Sequence, residues 1–334
     1  MSSPSSSSIL ESRMLADCHL HFEGSLPVSE IGRLAARAGH AFADPAGFER
    51  ARASVRSASG FLDLYAEVCR LFRAPDDYVP AAIAAATALS DGGLRYAEVY
   101  VSPEIFARMG LDPRACLEAI DAGFQDALEK RGILCRILLD AVRHWGPESA
   151  DRVLDLHERT RLPSVVGFGM GGDETAYPPS AFAGVYLRAR SLGLHTSVHA
   201  GEWAGAESVR DVLDALRPDR IDHGIGAASD PALMKRLAEE DTILCVAPTS
   251  NLRTGAVPDA ARFPLKRLLD AGVRVTLSAD DPVLFGTTTS NEYRFAADAL
   301  GVDARELSII AGNAWHAAFC SPAERQLGLQ GIGH

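Results

Sequence analysis

Apolar segments that stop abruptly at polar or glycine-rich turns recur eight times along the 334-residue chain, at 14–21, 94–101, 133–140, 165–170, 194–199, 220–223, 242–247 and 274–279. Stretches of helical periodicity lie between most of them, as at 113–131, 148–160, 181–192, 208–216, 231–239 and 264–271. Strand–helix alternation builds a parallel sheet, and eight units is the count that closes a (β/α)8 TIM barrel. An open doubly wound α/β sheet would normally bring a glycine-rich phosphate loop, and no GxxxxGK occurs.

One connection breaks the rhythm. Roughly seventy residues separate the first two strands, where a βα loop usually has about 2–6. They show helical patterns at 28–38, 61–72 and 79–90. Leaving from the C-terminal end of strand 1, this insertion (about 27–93) is expected to cap the barrel mouth as helices. The expected organisation is a flexible Ser-rich leader at 1–13, one barrel domain at 14–325 and a tail at 326–334.

Composition narrows the function. Lys and Arg number 33 against 44 Asp and Glu, a net charge of −11, with no basic cluster to displace phosphate counterions, so nucleic acid is not an expected partner. No apolar run approaches the length of a membrane helix, and the Ala-rich stretch 78–90 is too short. The six cysteines form no CxxC pair, which suits reduced thiols and a cytoplasmic location.

Histidines fall where strands end. His19 and His21 are two apart on strand 1, so both imidazoles face the same space while Cys18 and Leu20 turn outward. His199 ends strand 5 and Asp280 ends strand 8. In a closed barrel all C-terminal ends surround one mouth, so these four side chains can meet there. Three imidazoles and one carboxylate suit Zn²⁺, with Fe²⁺ or Mn²⁺ as alternatives, five-coordinate once a water is counted.

Other groups would do the chemistry. Glu202 lies just past His199, with Gly201 allowing the turn that brings its carboxyl back as a general acid–base. His223 ends strand 6, either as a fifth ligand or, preferred here, beside the metal to orient water. Asp222 should point to the other side of that strand, in a structural role. Asp281 is free to face a substrate, with a helix N-cap as its alternative task. Gly172 allows close backbone approach to a flat ligand. The segment 248–251, ending in Asn251, is expected to brace the rim, and His195 to be a hydrogen-bonded core residue. His144 and Trp145 follow strand 3 near the mouth, although nothing in the pattern selects them for the pocket.

The ordered set His19-Leu20-His21 with Glu23-Gly24, then His199-Ala200-Gly201-Glu202, Asp222-His223-Gly224 and Ser278-Ala279-Asp280-Asp281-Pro282, resembles the adenosine/adenine deaminase branch of the amidohydrolase superfamily over residues 17–313. The resemblance implies that His19, His21, His199 and Asp280 ligate one zinc ion. It implies that Glu202 protonates purine N1, His223 holds the attacking water, Asp281 bonds N7 and the Gly172 backbone meets N3. Glu23 stands where many adenosine-specific members carry an Asp that meets a ribose hydroxyl; Glu there is familiar from adenine deaminases. Residues 248–251 with 254–257 resemble the nucleoside branch, whereas Phe285-Gly286 leans towards adenine. Gly169-Met170 departs from the usual Asp-Leu.

The expected activity is zinc-dependent hydrolytic deamination of a small-molecule purine, adenosine or 2'-deoxyadenosine, to the inosine product plus ammonia. Adenine and aminodeoxyfutalosine are alternatives within the same chemistry, and an amide or ester hydrolase is the alternative reaction class. A non-catalytic relative would normally have lost a ligand or the acid, and all six groups are present. The other zinc deaminase signature, with H-x-E and P-C-x-x-C, is absent.

Overall fold

A computed structural model describes residues 14–333, so the expected leader lies outside the described residues. Eight parallel strands run in sequence order: β1 (Leu15–His21), β2 (Leu94–Val101), β3 (Leu134–Val142), β4 (Val165–Gly171), β5 (His195–Ala200), β6 (Arg220–His223), β7 (Ile243–Val246) and β8 (Val275–Leu277). β8 stops three residues short of Asp280, earlier than its apolar pattern suggests. The ring closes beyond it. Leu20 bridges Asp280, with the His21 N–H donating to the Asp280 carbonyl at 2.9 Å and the Asp280 N–H to the His19 carbonyl at 3.1 Å. Asp17 reinforces the seam by accepting from the Ala279 N–H at 3.0 Å and from the Thr289 hydroxyl.

Between β1 and β2 the chain forms four helices: α1 (Val28–Ala38), α2 (Pro45–Ser54), α3 (Ala58–Cys69) and α4 (Tyr78–Asp91). The periodicity missed α2, whose apolar face is slight. Its start is nonetheless written locally, in the Asp44 carboxylate that accepts from the Ala46 N–H at 3.1 Å and in Pro45 at the first turn. The Ala-rich α4 packs closely on the helix Pro113–Arg131. A Cβ on Gly123 would come within 2.5 Å of the Ala82 Cβ, so small residues on both sides set the spacing.

The tail is not a tail. Helix Pro322–Gly331 runs through the boundary expected at 325, capped by Ser321 and Glu324, with Gly328 against the Trp315 ring and Ile332 buried. Capping chemistry and small-residue packing, rather than an apolar stripe, define it. All six cysteines are free, five of them buried, and among the described residues no helix is long and apolar enough to cross a membrane.

At the N-terminal end of the barrel, buried Arg220 pairs with Glu98, donates to the carbonyls of Cys18 (2.8 Å) and Ala317 (3.0 Å), and lies 4.0 Å from the Phe319 ring centroid. His195 is exposed here and stacks on the same Phe319 ring, with centroids 4.4 Å apart. It is not the expected core residue, because strand 5 begins at the barrel's rim. Removing one member of a buried ion pair strands the other charge. Glu98→Ala should therefore destabilise the fold by about 3–5 kcal/mol, measured as a shift in urea midpoint.

Candidate metal centre and active site

Alternation along β1 sends His19 and His21 inward, where they meet His199 from β5. His19 Nε2 and His21 Nε2 lie 3.0 and 3.2 Å from His199 Nε2, and 3.4 and 3.3 Å from Asp280 Oδ1. Four ligand atoms thus face one point. Burial lowers the pKa of His19 to about 4, so its ring is neutral and keeps a lone pair. The Nδ1 of His199 donates to the Met170 carbonyl at 3.1 Å, leaving Nε2 as the lone-pair nitrogen. This donor set, with the His199 tautomer fixed from behind, fits a divalent metal. Burial pushes Asp280 up, but the imidazoles of His19 and His21 outweigh it and hold the carboxylate well below its usual range.

Two ordinary L-residues here adopt left-handed backbone, His223 at φ 61° and Asp280 at φ 60°. Such conformations cost on the order of 1–3 kcal/mol each and persist where the surroundings over-determine them. At His223 the kink reverses the expected alternation. Asp222, not His223, follows the inward parity of the strand, and its carboxylate sits 4.0 Å from His19 Nδ1 and 3.7 Å from His199 Nδ1. Tyr100 and Ser197 donate to it. Burial alone would raise its pKa, but the histidines and Arg220 bring it to about 2. The sequence expectation for Asp222 is corrected accordingly: it is an anion directly behind two of the clustered imidazoles.

The kink also turns His223 into the mouth, with Nε2 at 3.4 Å from Glu202 Oε2 and 3.9 Å from Asp280 Oδ2. His19, His199 and His223 form a second close trio of potential ligand atoms. Burial, then the nearby His19, holds the His223 pKa well below its normal value. Glu202 is buried, and that burial, with the Asp280 and Glu174 carboxylates adding to it, raises its pKa well above the usual range. That shift favours its protonated form. Asn251 is not a rim brace. Fully buried, its Nδ2 lies 3.2 Å from Glu202 Oε1 and 3.1 Å from His223 Nδ1, linking the two. Nothing in its sequence pattern marked it, because the contact depends on β7 meeting β5 and β6.

Above the cluster lies a cavity of about 460 Å³. His21, His199, Glu202, His223, Asp280 and Asp281 line its polar side; Phe61, Leu62 and Tyr65 of α3, with Trp145 and Trp203, line its apolar side. The helical insertion therefore supplies one wall. Asp281 lines the cavity, makes no N-cap bond, and has an Oδ1 without a hydrogen-bond partner. Burial and the adjacent Asp280 push its pKa well above the ordinary value. Gly172, at φ 92°, lines the cavity as well; a Cβ there would lie 3.0 Å from His144 Nδ1. His144 and Trp145 are both wall residues. Glu23 is buried behind the wall, where its Oε2 accepts from the Tyr65 hydroxyl at 2.7 Å. Asp140, which the sequence reading passed over, also faces the cavity and accepts from the Ser102 hydroxyl at 2.5 Å and the Gly171 N–H at 3.1 Å.

A parallel barrel with imidazoles and a carboxylate gathered at its C-terminal mouth, beside a buried acid, is an arrangement suited to a metal-dependent hydrolase. The family model for Adenosine deaminase matches residues 15–332. Adenine deaminase of Sinorhizobium medicae is 39% identical over 312 residues, covering 93% of this chain and 95% of that protein. Adenine deaminase of Agrobacterium fabrum is 38% identical over 319 residues, covering 95% and 97%. The solved adenine deaminase of Arthrobacter aurescens superposes with a TM-score of 0.90 at 29% identity, covering 95% of this chain and 97% of that one. The chain belongs to the adenosine deaminase family, and is thus a hydrolase acting on C–N bonds of cyclic amidines.

The geometry separates ligand candidates from their neighbours. His199→Ala and Asp280→Ala should each abolish stoichiometric zinc retention after dialysis, read by elemental analysis, whereas Asp281→Asn should retain it.

Proposed function

We propose that the protein hydrolyses adenine to hypoxanthine and ammonia, with Zn²⁺ held by His19, His21, His199 and Asp280. The observation that carries this reading is the buried Glu202, its pKa raised, beside the histidine cluster in the lining of a cavity that also holds Asp281, whose Oδ1 has no hydrogen-bond partner. The sequence resemblance put the nucleoside first. The relatives at 38–39% identity, named adenine deaminases, favour the free base, as does a Glu rather than Asp at position 23.

His19, His21, His199 and Asp280 would hold a divalent metal, whose chemistry when bound would be to lower the pKa of water toward neutrality. Protonated Glu202 donates to ring N1, withdrawing electron density from C6 as the new C–O bond forms. Neutral His223, anchored through Asn251, is placed to orient the water and take up its proton. Asp281 meets N7 and the Gly172 backbone meets N3, holding the ring flat between them. Loss of the C6–N bond then releases ammonia, the amino group taking the proton that His223 accepted, while the C6 hydroxyl proton returns to Glu202. Asp281 also separates this reading from amide or ester hydrolysis, which has no use for a group at N7.

Zinc-loaded enzyme offered adenine, adenosine, 2'-deoxyadenosine and aminodeoxyfutalosine should release ammonia fastest from adenine. No turnover of any 6-aminopurine would reject deamination, and faster turnover of a nucleoside would reject the choice of base. Glu202→Gln should lose about 10²–10⁴-fold in kcat. Because Glu202 must carry its proton and its pKa is raised, kcat/KM should fall as pH rises through a pKa above the ordinary carboxylate range.

A further inference from the structure

The loop that carries Glu202 has an anchor of its own. Residues 201–204 join β5 to the helix Gly205–Ala215, and three of their backbone N–H groups turn toward a single side chain from a different loop. Glu174, three residues past the end of β4, accepts from Trp203 N–H at 2.9 Å, from Ala204 N–H at 3.1 Å, and from Gly201 N–H and the Ser208 hydroxyl. Its side chain is buried, and all four donors converge on its two oxygens.

Successive backbone N–H groups at a helix start form a concavity suited to an anion, and here the protein fills it with its own carboxylate. The loop has little freedom to find the same shape otherwise. Gly201 adopts φ 66°, and a Cβ there would come within 2.3 Å of Val209 Cγ2. Glu202 is flanked on both sides by residues that Glu174 holds, Gly201 before it and Trp203 after it. Trp203 is itself part of the cavity wall. Charge-assisted hydrogen bonds are roughly twice as strong as neutral ones, and an amide cannot replace this carboxylate. Glutamine offers one acceptor oxygen and would aim an NH2 at groups that are already donors.

We infer that Glu174 is a positioning residue for proton transfer. It touches no reacting atom, but fixes residues 201–204 so that Glu202 meets the substrate ring at the right place. This rests on the reading of Glu202 as the proton donor. The segment 171–174 then serves both sides of the reaction, with Gly172 at the ring and Glu174 behind the acid.

Holoenzyme variants test it by steady-state kinetics on adenine, with zinc content and melting temperature measured in parallel. Glu174→Gln should keep its zinc and its KM but lose on the order of 100-fold in kcat, the scale set by small misplacement of a reacting group. Glu174→Asp should recover part of that loss, and Ser208→Ala, which removes one donor of four, should show a smaller fall in kcat. A Glu174→Gln enzyme with wild-type kcat overturns the inference, as does a loss seen only in KM or only together with lost zinc. If Glu174→Gln does not fold, wild-type kcat in both Glu174→Asp and Ser208→Ala overturns it. Glu202→Gln is run beside them. An active Glu202→Gln enzyme removes the underlying reading, whereas an inactive one beside a fully active Glu174→Gln removes the inference alone.

Discussion

Leu20 and Asp280 pair across the last gap in the sheet, and through that pairing the first strand delivers His19 and His21 to the same point as the last strand's Asp280. Only closure brings together residues some 260 positions apart in sequence. The seam is short, because β8 itself ends at Leu277, and it depends on two backbone hydrogen bonds and the carboxylate of Asp17. Asp280 adopts a left-handed conformation to make it. Barrel closure and assembly of the candidate metal centre are therefore one structural event, with the backbone strain placed at the residue that contributes the carboxylate.

Around that point the protein sorts its buried acids by environment. Asp280 and Asp222 face imidazoles, which pull their pKa values down; burial and neighbouring carboxylates push those of Asp281 and Glu202 up. Neighbouring carboxyl groups pushed in opposite directions are how one site gains both an anion to hold a cation and an acid to donate a proton. The Asp280–Asp281 pair does this within two consecutive residues, because the kink at Asp280 ends the strand and lets both side chains reach the mouth.

The barrel, the helical insertion and the clustered histidines were legible because they follow simple periods: two for a strand, 3.6 for a helix, eight for closure. His19 and His21 share a face by arithmetic. What broke those periods was hidden. The left-handed turn at His223 lets Asp222 face the imidazoles while His223 still reaches the mouth, and no residue type announces such a turn when it is not glycine. Asn251, Asp140 and Glu174 act through contacts between loops from different strands, which a single sequence does not record. Helix Pro322–Gly331 lacks a strong apolar stripe, so its docking through Gly328 onto Trp315 looked like chain end. The deaminase family was written in the motifs, but for base against nucleoside they pulled both ways, Glu23 and Phe285-Gly286 towards adenine and residues 248–251 with 254–257 towards the nucleoside.

The position of the metal tests the central claim most directly. Crystals of zinc-loaded protein, measured at the zinc absorption edge, should give one anomalous peak at bonding distance from His19 Nε2, His21 Nε2, His199 Nε2 and Asp280, with Zn–N separations of about 2.0–2.1 Å. A peak elsewhere, or one whose ligands do not include both the β1 histidines and Asp280, would contradict the account.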